Sequence, residues 1–216
     1  MKTSTRLLLS HIEGRRTAED YTALFYDVEQ KRLFQSSLPV FVSDNWDAIK
    51  EGLVSVYGFV NHPPYKGRGR PPLPRMVPLS DLKYAQVCKK RRKGRVVEVA
   101  QRVVFGDKEV VLHLLGADEE GTINTAYVER MNLTFRNCLA RFIRKTMNES
   151  KNQYMHSRMI DFFQTWYNFV KPHKSLRVLV MDEKRKWEQR TPAMAEGLTD
   201  HVWSLEELLT FRMPVQ

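Results

Sequence analysis

The stretch Asn61-His62-Pro63-Pro64-Tyr65-Lys66-Gly67-Arg68-Gly69-Arg70-Pro71-Pro72-Leu73-Pro74 constrains the fold of this chain more than any other feature. Proline fixes φ and removes a backbone donor, so a segment this dense in Pro, Gly and cations is neither a helix interior nor a central strand. It reads as a linker or insertion loop. What precedes it alternates. Residues 5–12 are leucine-rich, suit a strand and are stopped by Gly14. Thr17 is an N-cap with Glu19 and Asp20 in the following turn, and Tyr21, Leu24, Phe25, Val28 and Leu33 carry helical spacing to about residue 34. Residues 38–42 form a short buried strand closing on Ser43-Asp44, and Trp46, Ile49 and Leu53 mark one face of a helix over 45–56. Strand, helix, strand, helix is an α/β order.

After the insertion the pattern changes twice. Lys89-Lys90-Arg91-Arg92-Lys93 is a dense basic cluster, followed by β-like runs at 95–105 and 109–115 with Gly106-Asp107-Lys108 as the expected hairpin turn. A loop over 116–121 leads to a helical half. Tyr127, Met131, Phe135, Cys138, Leu139 and Phe142 form one stripe over 124–145, and Met155, Met159, Phe162, Phe163, Trp166 and Val170 form another over 153–170. Thr191-Pro192 and Ser204-Leu205-Glu206-Glu207 read as two further helix starts. The chain divides on these grounds into 1–60, 61–118, 119–180 and 181–216.

The formal net charge is +10, which favours a polyanionic partner. No apolar run approaches the ~18 residues of a spanning helix, which argues against a membrane. Two cysteines, Cys88 and Cys138, make neither a disulfide framework nor a metal site; both read as small buried hydrophobes in a reducing, cytoplasmic compartment.

Two carboxylates stand out. Asp44 follows a buried strand, where rigid backbone and solvent access suit a divalent-cation donor, although an aspartate here also suits the N-cap of the next helix. Glu129 lies early in a helix, where it is either a second donor or a partner of the helix dipole. Arg136 follows Glu129 by seven residues, on the same side of that helix, and suits a phosphate. Lys89, Lys90, Arg91, Arg92 and Lys93 suit any phosphate backbone. Arg68 and Arg70 form the Arg-Gly-Arg-Pro core of a minor-groove arm, or an ordinary loop.

The block Ile123-Asn124-Thr125-Ala126-Tyr127-Val128-Glu129-Arg130-Met131-Asn132-Leu133-Thr134-Phe135-Arg136 resembles the region of the third acidic residue in DDE transposases of short bacterial insertion sequences, the insertion-sequence-one-like group in particular. The likeness continues through Leu139-Ala140-Arg141, Tyr167-Asn168-Phe169, His173-Lys174-Ser175-Leu176-Arg177, Arg190-Thr191-Pro192 and Gly197-Leu198-Thr199-Asp200-His201. Upstream it covers Gly14-Arg15-Arg16-Thr17 and Val42-Ser43-Asp44. The resemblance implies a ribonuclease-H-like α/β catalytic domain in which three carboxylates hold magnesium or manganese for DNA strand cleavage and transfer. It implies that Asp44 is the second carboxylate, Glu129 the third, Arg136 the basic residue after the glutamate, and His173-Lys174 a basic pair near DNA. The partners it implies are element ends and target DNA, with a homo-oligomer in synapsis, in a bacterial or archaeal cytoplasm at the nucleoid.

The chain departs from that pattern at its start. No acidic residue lies among residues 1–5, where the first aspartate and its central strand are expected, and Asp20 and Asp27 fall within a helix. The expectation is an incomplete catalytic domain lacking its first strand: a fragment, a decayed copy, or the downstream frame of a split element that an upstream-frame segment completes. The alternatives are a non-catalytic DNA-binding product that inhibits the full enzyme, and an unrelated basic α/β protein that binds RNA.

Overall fold

A computed structural model describes residues 1–33, 35–65, 67–93, 95–116, 126–143, 145–180 and 186–212. Lys66, most of the expected 116–121 loop, Ile123-Asn124-Thr125 and Arg144 lie outside the described residues. The protein is mixed α/β, with small sheets and, among the described residues, seven α-helices. The chain forms two compact units, one of residues 12–126 and one of residues 1–11 with 127–216.

The first unit runs α1 (Ala18–Gln30), β1 (Val40–Asp44), α2 (Asp47–Val56), β2 (Gly58–Asn61), β3 (Arg75–Pro78), β4 (Lys83–Arg92), β5 (Arg95–Phe105) and α3 (Lys108–Leu114). Thr17 and Asp20 cap α1 reciprocally: Thr17 Oγ accepts from the Asp20 amide at 3.3 Å, and the Asp20 carboxylate accepts from the Thr17 amide at 3.0 Å. Asp20 is thereby committed to the cap. Helix α1 crosses α2 at Gly52, where an added Cβ would stand 2.6 Å from Tyr21 Cβ and 2.8 Å from the Thr22 amide nitrogen. β1 pairs with β4 in parallel, from Val40 opposite Lys83 to Asp44 opposite Val87, and β4 pairs with β5 antiparallel. Leu53, Tyr57, Leu82 and Tyr84 form the core on one side of this sheet. Ala85, Val87 and Val111 form a second cluster.

Two expectations change here. The hairpin lies between β4 and β5, not around residues 106–108, and residues 108–114 are helical. The cause is local: Asp107 takes the N-cap, its carboxylate accepting from the Glu109 and Val110 amides at 2.9 and 3.1 Å. That cap outweighs the β-branched pair Val110-Val111, and Val111 is fully buried from the helix. Most of the Pro/Gly-rich segment joins β2 to β3, an antiparallel pair.

The second unit holds α4 (Ala126–Cys138), a 3-10 turn Ala140–Phe142, α5 (Gln153–Phe169), β6 (His173–Leu179), β7 (Trp187–Arg190), α6 (Pro192–Glu196) and α7 (Leu205–Thr210). Leu8, Met131, Leu139, Phe163 and Tyr167 make its core. The seam on α5 is rotated from the expected stripe: Ile160, Phe163, Tyr167 and Asn168 are buried, whereas Met155 and Phe162 are exposed. Cys138 is exposed rather than buried, and Cys88 is half-buried.

Residues 5–12 are not a strand. The α5 helix supplies the partners that a neighbouring strand would have supplied. The Leu8 amide donates to Asn168 Oδ1 at 3.0 Å, Asn168 Nδ2 donates to the Leu8 carbonyl at 3.0 Å, and Gln164 Nε2 donates to the Leu8 and Leu9 carbonyls at 3.0 and 3.3 Å. Buried backbone polar groups need partners, and two amide side chains one helical turn apart meet that need without a sheet.

Gly52→Ala gains at most ~1 kcal/mol of helix propensity. It meets backbone that cannot yield cheaply, for which overpacking costs of ~1–3 kcal/mol are usual. The variant is expected to unfold at lower urea concentration than the parent; a higher midpoint would contradict the close α1–α2 crossing.

Candidate nucleic-acid interface

Asp44 is the last residue of β1 and is exposed. It does not cap the next helix. The N-cap of α2 is Trp46, with no side-chain capping bond, and Asp44 contributes only its backbone carbonyl to the Trp46 amide, at 2.9 Å. Its carboxylate makes no hydrogen bond or ion pair among the described residues.

Beneath Asp44 runs a chain of hydrogen bonds across the sheet. Arg102 Nη2 donates to Gln86 Oε1 at 2.8 Å, and Gln86 Nε2 donates to the Tyr84 hydroxyl at 2.9 Å. Tyr84 and Ser43 hydroxyls lie 2.6 Å apart, and Ser43 Oγ donates to the Asp44 carbonyl at 2.8 Å. Since Tyr84 accepts from Gln86 and Ser43 donates onward, the Tyr84 proton goes to Ser43. Every donor in the chain then points toward β1. Tyr84 and Gln86 are fully buried, so each bond offsets a desolvation cost. Burial pushes the Tyr84 phenol up, which keeps that proton in place. The chain pins the end of β1 and leaves the Asp44 carboxylate unused.

β1 stops at the Asp44–Val87 pair, but β4 and β5 continue. Residues 84–87 are all buried; Lys90, Arg92, Lys93, Arg95 and residues 97–100 are exposed. Between Cys88 and Arg102 the sequence carries six Lys or Arg against one glutamate, so this two-stranded ribbon is strongly cationic. Lys90 pairs with Glu98 at 2.8 Å. Arg92 sits directly opposite Arg95, a like-charge pairing that disfavours the ribbon by itself. Lys93, at the turn, has φ 50°, the left-handed region that tight hairpin turns use. Val97 and Val99 are 61% and 52% exposed.

The other expected residues are dispersed. Arg68 and Arg70 are exposed in the β2–β3 loop, where Gly67 and Gly69 take positive φ and Tyr65 Oη donates to the Gly69 carbonyl at 3.1 Å. Glu129 is exposed in the first turn of α4, and Arg136 is half-buried in its last turn. His173 begins a strand, β6, rather than lying in a helical region. Burial, with Lys171 and Arg6 nearby, lowers its pKa to about 4, so it is uncharged at neutral pH. Lys174 beside it is exposed.

Asp44 and Glu129 belong to different units, and among the described residues no group of three or more His, Cys, Asp or Glu side chains converges. None of the described helices is long and apolar enough to cross a membrane.

Sequence reasoning passed over Ser43, Tyr84, Gln86 and Arg102. Alternation of Tyr84, Gln86 and Cys88 with Ala85 and Val87 signals a strand, but the five cations that follow masked its continuation to Arg92. Comparison of the chain with protein-family models, with curated proteins and with solved structures finds no match.

Tyr84→Phe removes the middle of the chain and leaves Ser43 Oγ and the buried Gln86 amide without that partner. Unsatisfied buried groups of this kind cost ~1–3 kcal/mol. The urea midpoint is expected to fall accordingly; a midpoint equal to that of the parent would mean that the bonds through Tyr84 do not hold the strand end.

Proposed function

We propose that the chain is a DNA-binding transposase polypeptide of the DDE type, acting in metal-dependent strand cleavage and transfer through Asp44 and Glu129. The observation that carries this reading is the position of Asp44. It is an exposed carboxylate with no committed partner among the described residues, held at a strand end by a buried hydrogen-bond chain, at the root of a cationic two-stranded ribbon. The block around Glu129, which resembles that of insertion-sequence transposases, supplies the second carboxylate from an exposed first helical turn. The ribonuclease-H-like core is part of the same reading: β1 parallel to β4, with β5 antiparallel, is compatible with it, and β1 pairs on one side only among the described residues.

In this reading Asp44 and Glu129 are oxygen donors toward magnesium or manganese, which supplies Lewis-acid chemistry at the scissile phosphate when bound. The chain's own contribution is to hold Asp44 rigidly, to neutralise phosphate charge through Lys89–Lys93, Arg68, Arg70, Arg136 and Lys174, and to orient duplex against the strand end. Element ends, target DNA, a second copy in synapsis and an upstream-frame segment are its proposed partners.

A second reading is a DNA-binding product that does not cut. It is favoured by one observation: the cationic ribbon is complete within one unit, whereas the two carboxylates are divided between units.

Glu129→Gln and Asp44→Asn, each made in the polypeptide expressed from its native locus, separate the two readings. Each is expected to lower strand transfer by ~100-fold or more, the scale on which loss of one catalytic group acts, while duplex affinity stays within about twofold. Unchanged transfer in both variants would sink the transferase reading; transfer absent from the parent itself would favour the non-cutting product.

A further inference from the structure

We infer that the β4–β5 ribbon enters the major groove of duplex DNA and so seats the duplex at its root, where Asp44 lies. The inference deepens the DNA-binding reading above and rests on it. Its geometry comes from the register. β1 leaves β4 at Val87, and β4 runs five residues further, to Arg92. At ~3.4 Å per residue the projection is about 17 Å, longer than the ~8.5 Å depth of the major groove. A two-stranded ribbon is one of the two elements that the groove, ~12 Å wide, admits.

The chemistry of the ribbon suits that groove on each surface. Exposed Arg92, Lys93 and Arg95 cluster at its tip, where guanidinium groups meet guanine O6 and N7. Opposing Arg92 to Arg95 costs the free ribbon stability, and a polyanion between groove walls relieves that cost. Lys89 and Lys90 fall at successive positions and so project to opposite faces, as a ribbon flanked by phosphates on both sides requires. Val97 and Val99 present apolar surface, which suits thymine methyl groups. An anionic bilayer would engage one face and leave the cations of the other in water. An A-form RNA duplex has a major groove too deep and narrow for side chains to read.

The test is fluorescence anisotropy of the full chain on a labelled mixed-sequence DNA duplex. Four arms are compared: the plain duplex, the same duplex with glucosylated hydroxymethylcytosine filling the major groove, the plain duplex saturated with a minor-groove drug, and an RNA duplex of the same sequence. Affinity is expected to fall at least about tenfold on the filled major groove and on RNA, the scale of losing one good base-edge contact. It is expected to change less than about threefold with the minor-groove drug, because the ribbon occupies the opposite groove. Arg92→Ala/Lys93→Ala/Arg95→Ala is expected to bind plain duplex at least tenfold more weakly and to lose its sensitivity to the filled groove. Equal binding to filled and plain duplex, equal binding to RNA, or a triple variant that binds like the parent would each overturn the proposal. Groove sensitivity without dependence of transfer on Glu129 removes the transferase reading and keeps the ribbon; dependence on Glu129 without groove sensitivity does the reverse.

Discussion

The parallel pairing of β1 with β4 is the constraint on which the rest of the 12–126 unit depends. It places Val40, Phe41 and Val42 beside Lys83, Tyr84 and Ala85, so that both strands pack into the clusters around Leu53 and Val111. It also ends at a definite point. Past Asp44 and Val87 the sheet narrows from three strands to two, and the burial that stabilises residues 84–87 gives way to exposed cations. Apolar burial of ~25 cal/mol per Å² supports the first part; the second, with Val97 and Val99 exposed, stands on its ladder hydrogen bonds and an anchored root. Arg102, on β5, donates into the buried chain that ends at the Asp44 carbonyl, so the ribbon and the strand end share one polar network.

The second unit solves a different problem. An apolar segment, residues 7–9, has Leu7 and Leu8 buried outside any sheet formed by the described residues, and Gln164 and Asn168 take up its backbone groups. Tyr167, on the same helix, stacks edge-on against His173 with ring centroids 4.6 Å apart. Burial, with Lys171 and Arg6 nearby, keeps the half-buried His173 neutral and leaves the exposed Lys174 as the cation of the pair.

Local chemistry was legible in the sequence and long-range pairing was not. Thr17 with Asp20, Thr191 with Pro192, and Ser204 ahead of Glu207 each announced a helix start that the structure contains. The Pro/Gly-rich loop was equally plain, because no pairing changes what proline forbids. Residues 5–12 were misleading because a short apolar run suits a strand or any buried extended segment, and only the distant amides of α5 decide between them. Residues 109–115 were misleading because β-branched side chains argued against Asp107, a single capping carboxylate. At the candidate site, Asp44 was visible as the residue after a buried strand. Ser43, Tyr84, Gln86 and Arg102 were not, since their partnership exists only once β1, β4 and β5 are in register. Whether Asp44 and Glu129 act together is likewise a matter of how chain regions 85 positions apart are used, which spacing does not encode.

We propose that this chain binds duplex DNA through its cationic ribbon. The most direct measurement is the dependence of duplex affinity on salt, for the parent and for a variant with Lys89, Lys90, Arg91, Arg92 and Lys93 all replaced by alanine. Each phosphate neutralised contributes about −0.9 to the slope of log affinity against log salt. A steep parent slope that flattens by several such increments in the variant is the predicted result. Identical slopes would contradict the account, because they would mean that the ribbon releases no counterions and touches no phosphate.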